Sequence, residues 1–112
     1  MSKFLQVTLV YSSSTMTGTS VCTSQAIDVG SLCRWSVQNV WTGTPNGTFK
    51  VQESNDKVNW TDVASATTTV SGAAGSGIIN AINCETKWLQ VLYTNTSSTG
   101  TIGVCTFHGK EQ

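Results

Sequence analysis

Apolar and polar residues alternate along most of this chain with the period of two expected of half-buried strands. A strand is expected over 3–11, with Leu5, Val7, Leu9 and Tyr11 on one face. A polar loop over 12–18 and short strands over 19–22 and 25–29 follow. In the run 33–41, Cys33, Trp35, Val37 and Asn39 alternate with Arg34, Ser36, Gln38 and Val40. Thr42-Gly43-Thr44-Pro45-Asn46-Gly47 then carries turn signals, because Pro fixes φ and Asn-Gly accepts positive φ. The run 48–53, with Phe49 and Val51 on its apolar side, reads as the returning arm of a hairpin.

Ser54-Asn55-Asp56-Lys57 predicts a tight turn, 58–63 an extended segment and 64–70 a further strand. A flexible Gly/Ala/Ser segment over 71–77 leads into an apolar run over 77–82. In the strand 87–94, Leu89, Val91 and Tyr93 face one side, and Trp88 and Leu92 the other. A Ser/Thr loop over 95–100, a last strand over 101–108 and a polar tail close the chain. About eight strands, with turns roughly every 8–12 residues, predict an all-β fold: a single antiparallel β-sandwich domain spanning 1–112. No helical period and no internal repeat is visible.

Composition agrees with strands. The 112 residues include 18 Thr and 14 Ser against 12 charged side chains, and net charge is zero. Branched Thr suits a pleated surface. Lys3, Arg34, Lys50, Lys57, Lys87 and Lys110 are scattered, without the basic footprint of a nucleic-acid binder. No membrane partner is expected. Gln6 and Thr8 interrupt the first apolar run, so it reads as a strand rather than a signal peptide, and synthesis and release in a cytoplasm are expected. A nearly uncharged exterior favours a chain that works in an assembly.

Candidate chemistry is sparse. His108 is the lone histidine, and Asp28, Glu53, Asp56, Asp62, Glu85 and Glu111 are dispersed. No catalytic signature surrounds any serine, so no enzyme, cofactor or metal is expected. Asn55, Asp56 and Asp62 offer oxygens to a hard cation such as calcium, but their spacing does not match an EF-hand loop and turn formation is the commoner explanation. Cys22, Cys33, Cys84 and Cys105 lack the spacing of a zinc site. They are read as buried thiols, with one or two disulfides formed after release from the cell, or bridges between subunits, as alternatives. Trp35 belongs to the core face. Trp41, at a strand end, is the expected exposed contact, with Asn46, Asn55 and Asp56 beside it. Phe4, Leu5, Val7 and Leu9 form the expected strand-exchange segment, since an edge strand offers unpaired backbone groups to a neighbour.

The stretches Ala26-Ile27-Asp28-Val29, Trp35 to Thr48, Val51 to Asp62 and Trp88 to Thr101 resemble a pattern of small structural proteins of tailed bacteriophages. They are loosely similar to discoidin-like β-sandwiches as well, where a strand runs into Ser-Asn-Asp and then a Trp. The resemblance implies a jelly-roll or discoidin-like sandwich located in the virion. It implies a capsid decoration (cement) protein whose partners are the major capsid protein and itself, as a homotrimer. The alternative it implies is a tail or fibre accessory module that binds host-surface carbohydrate, a glycan contacted through Trp41.

Overall fold

The alternating rows of the sequence become the inner faces of two stacked sheets. The computed structural model describes residues 4–82 and 86–111. Its strands are β1 (Phe4–Leu9), β2 (Thr15–Met16), β3 (Val21–Thr23), β4 (Ile27–Asp28), β5 (Arg34–Gly43), β6 (Asn46–Ser54), β7 (Thr61–Ser71), β8 (Gly75–Ile82), β9 (Trp88–Ser97), β10 (Gly100–Ile102) and β11 (Cys105–Lys110). In the first sheet β5 carries β8 on one side, and β10 and β11 end to end on the other. Outside these lie β1 against β11 and β2 against β10. In the second sheet β9 and β6 are central, with β3 and β4 beside β9 and β7 beside β6. Short strands therefore share rows, giving four rows per sheet and the order of a jelly roll. The eight or so strands expected from the sequence correspond to these rows.

The expected hairpin around Pro45 is not one. β5 pairs with β8, β10 and β11, whereas β6 pairs with β7 and β9, so the turn carries the chain from one sheet to the other. The cause is that both strands have a buried row. Trp35, Val37, Asn39 and Trp41 face Gly47, Phe49 and Val51 across the sandwich rather than lying beside them. Pro45 is fully buried in the corner. Gly43 adopts φ 87°, and a Cβ there would lie 2.7 Å from the Gly100 Cα, so this close approach requires glycine. Among the described residues β6 and β7 are the only consecutive strands that pair with each other.

Three smaller expectations change as well. The polar loop over 12–18 contains β2, whose Met16 is fully buried. Residues 61–63 of the expected extended segment and the strand expected over 64–70 form the single strand β7, interrupted by a bulge, while 58–60 belong to the preceding turn. Register passes from Lys50↔Thr67 to Gln52↔Asp62, and Ser65 takes φ 59° in between. The last expected strand splits at Gly103-Val104 into β10 and β11.

Phe49 lies at the centre of the core, with no exposed surface. Its ring meets Tyr93 at 4.6 Å, Trp41 at 5.6 Å and Tyr11 at 6.2 Å between centroids. Trp41 and Phe49 come from opposite sheets, so this cluster joins the two layers. Phe49→Ala is expected to cost about 3–5 kcal/mol through lost burial and a residual cavity. Urea unfolding followed by tryptophan fluorescence measures it, and Phe49→Leu should cost clearly less.

Candidate functional site

One end of the second sheet gathers several polar and charged side chains. β4 and β9 place Asp28 opposite Trp88, and Lys87 precedes Trp88. The Lys87 ammonium lies 2.9 Å from Asp28 Oδ2, and its backbone N–H donates to Asn55 Oδ1 at 3.0 Å. Thr86 Oγ1 donates to Glu53 Oε1 at 3.2 Å. Asp28, Gly30, Ser31, Asn55, Thr86 and Lys87 line a shallow, open basin. Beside it the half-buried Trp88 ring is approached by Lys57 Nζ at 4.6 Å and Lys87 Nζ at 5.2 Å from its centroid. Both ammonium groups are drawn by the electron-rich ring. This basin offers hydrogen-bond donors and acceptors of both charges to a polar ligand.

The turn after β6 holds one wall in place. Asp56 Oδ1 accepts from the backbone N–H groups of Val58 (2.9 Å) and Asn59 (2.8 Å) and from Ser54 Oγ (2.9 Å). Its Oδ2 accepts from Asn59 Nδ2 at 2.7 Å. The Asn59 and Val58 N–H groups, then the Asn59 amide and the Ser54 hydroxyl, hold the Asp56 carboxyl well below the usual carboxylate range. The N–H of Gly30, followed by Lys87, lowers Asp28. Gln52, followed by Lys50, lowers Asp62. The oxygens of Asp56 and Asp62 are thus directed at protein donors, and among the described residues no three His, Cys, Asp or Glu side chains converge.

The four expected contact residues do not form one surface. Trp41 is buried, 6% exposed, with its ring on Phe49 and its Nε1–H donating to the Ala73 carbonyl at 2.8 Å. That corrects its expected exposure. A strand end before a turn is exposed in a hairpin, but here the turn is a corner between sheets and folds the indole inward. Asn46 begins β6 and donates to Ser97 Oγ, whereas Asn55 and Asp56 follow the other end of the same strand. Trp88, which alternation places outward but which no motif marks, is the aromatic that does lie beside polar groups. His108 packs its ring against Phe4 at 5.4 Å.

β1 presents a second surface. Phe4 and Leu5 are exposed, Val7 is half-buried and Leu9 is buried. β1 pairs with β11 in unbroken register from Phe4↔Lys110 to Leu9↔Cys105. Among the described residues its other side carries no strand, but Gln25 reaches across part of it. Gln25 Nε2 donates to the Thr8 carbonyl at 3.1 Å, and Gln25 Oε1 accepts from the Val10 N–H at 2.8 Å. The Tyr11↔Ser24 bridge continues this closure.

Cys22, Cys33 and Cys105 are free thiols, and Cys84 lies outside the described residues. Cys22 and Cys105 are buried, which pushes both thiols up, while Cys33 is exposed although the alternation groups it with Trp35. β5 begins only at Arg34, so the pattern no longer governs residue 33.

Two outcomes are expected. A thiol reagent should label Cys33 in the folded protein and reach Cys22 and Cys105 only after unfolding, as peptide mass mapping would show. Since the folded Asp56 carboxyl is depressed, its stabilisation is complete above the unfolded value of about 4 and lost as pH falls below it. Thermal melts should therefore find Asp56→Asn less stable at neutral pH, with a shallower acid decline than wild type.

No protein-family model and no curated protein sequence matches the chain. Solved structures match its fold. The PBSX exported protein XepA is similar with a TM-score of 0.64 and 15% identity, over 94% of this chain and 36% of XepA. The C-terminal CBM6 of LamC, a marine laminarinase from Zobellia galactanivorans, gives 0.56 and 10% over 94% and 98%. The SPBc2 prophage-derived protein YomS gives 0.50 and 10% over 98% and 95%. The chain thus spans about a third of XepA and nearly all of the other two chains. Their common ground with it is the antiparallel β-sandwich, a fold found in prophage-derived proteins and in a CBM.

Proposed function

We propose that this protein is a structural component of a bacteriophage particle, and within it a capsid decoration protein seated on the outer shell. It acts by binding, with no chemical step. The observation that carries the reading is the first strand: six residues without a charge or a proline, one flank open and Phe4 and Leu5 exposed. Soluble monomers commonly protect such edges with charge, proline or bulges. An edge left open suits a chain destined to be covered by a neighbour. The neutral, hydroxyl-rich composition and the fold shared with XepA and YomS support the same reading. A decoration protein that binds the assembled shell and not its dissociated subunits stabilises the shell by mass action.

The basin beside Trp88 and the likeness to the CBM6 of LamC favour a second reading, a tail or fibre module that binds host-surface carbohydrate. One set of measurements separates the two. Particles made by the genome that carries this gene are analysed by mass spectrometry and cryo-electron microscopy, and the purified chain is applied to a glycan array. Decoration expects jelly-roll density on the head, a shell that melts lower without it, and no retained glycan. Density confined to the tail, with glycan binding lost in Trp88→Ala, supports the second reading. Particles without the chain overturn both.

A further inference from the structure

Resting on the carbohydrate reading, we propose that the basin beside Trp88 binds a neutral sugar unit through a vicinal diol that spans the Asp28–Lys87 ion pair. Asp28 Oδ1 accepts from the Gly30 N–H at 3.0 Å, and Oδ2 from the Lys87 ammonium at 2.9 Å. Each carboxylate oxygen keeps a second lone pair, and the ammonium keeps further N–H groups. Both side chains are about half exposed, so these positions open to solvent. Asn55 has a fixed sense: its Oδ1 accepts the Lys87 backbone N–H, which leaves its Nδ2 as a donor. One lining therefore presents a charged acceptor, a charged donor and an amide donor.

A hydroxyl matches a paired carboxylate and ammonium, because it donates to the first and accepts from the second at once. A charged ligand group has to break the pair to engage either member. Local charge gives no preference to an ion of either sign. Among the described residues, Lys57 and Lys87 stand at the basin and its ring against Asp28, Glu53 and Asp56. Glu53 is engaged by Thr86 in the lining, and the Asp56 oxygens by the donors of their own turn. A second hydroxyl on the adjacent carbon finds its donor in the Asn55 amide. The half-buried Trp88 offers a flat apolar surface to the C–H face of the same sugar ring. Lys57 lies outside the lining, and its Nζ covers the Trp88 ring at 4.6 Å from a backbone at φ 66°. It is a cover that packing of a sugar displaces, not a group that reads the ligand.

NMR titration of the purified chain reads the weak binding expected of one shallow basin. Its probes are neutral oligosaccharides and, separately, oligosaccharides rich in uronic or sialic acid. Neutral probes should shift the amide signals of Gly30, Asn55 and Lys87 and the indole signal of Trp88. Asp28→Asn keeps an acceptor for the Gly30 N–H but removes the charge, and should weaken binding about tenfold, the difference between a charged and a neutral hydrogen bond. Lys57→Gly suits the positive φ, bares the ring and should leave neutral binding undiminished, whereas an acidic ligand would lose an ammonium there. The spectrum of each variant reports its folding. Shifts caused by acidic probes alone, neutral binding lost in Lys57→Gly, or neutral binding indifferent to Asp28→Asn overturns the proposal and leaves the carbohydrate reading standing. If probes of neither class shift any signal, the carbohydrate reading falls and the proposal with it.

Discussion

Contact between Phe49 and its three aromatic neighbours is the interaction on which the two layers depend. The strands are rich in Thr and Ser, which form ladders well but bury little apolar surface. Cohesion between the sheets therefore falls on a few large rings, with Trp41 from the first sheet packed against Phe49 and Tyr93 from the second. Tyr11 reaches the same cluster from the end of the first row and donates its hydroxyl to buried Asn39 at 2.8 Å. Burial, and then the nearby Cys105 and Cys22, push the Tyr11 hydroxyl up, so it remains a neutral donor. The corner at Pro45 exists to bring Trp41 and Phe49 face to face, and its glycines allow the crowding this requires.

Given that stack, the remaining problem is the open flanks of two four-row sheets. On one side β7 and β8 run near each other without pairing, and on the other the Tyr11↔Ser24 bridge and the Gln25 side chain link the first row to the chain that follows it. A single amide thereby does the work that charge or proline does on other edges. Phe4 and Leu5, beyond the reach of Gln25, stay exposed. The polar basin by Trp88 lies on the second sheet, where β4 ends and β9 begins.

Much of this architecture is legible in the sequence, for a local reason. Period-two alternation assigned the buried rows of β5, β6 and β9 almost residue by residue, because each strand has one wet face and one dry face. What alternation does not encode is which rows are neighbours. Cys33–Trp41 and Thr48–Glu53 carry the same pattern whether they lie side by side or face to face, and Pro-Asn-Gly suits either turn. For that reason the strand pattern leaves the burial of Trp41 undetermined. Met16 was hidden in a Ser/Thr run too short to show a period. The Asp56 turn was readable because Ser-Asn-Asp bonds its own backbone locally. The Gln25 contact with Thr8 was not, since nothing in a sequence marks a glutamine side chain that reaches across seventeen positions.

Pairing of the first strand with the last has a consequence for how the chain matures. Among the described residues β1 has its only strand partner in β11, about a hundred positions downstream. During synthesis it must therefore wait, with Phe4, Leu5, Val7 and Leu9 uncovered, until nearly the whole domain has left the ribosome. Among the described residues only the β6–β7 hairpin can form from neighbouring sequence; every other ladder requires a distant segment. Such a topology folds slowly for its size. The apolar edge is then a hazard in the nascent chain, and Gln25, made well before β11, is a group that covers part of it in the folded one.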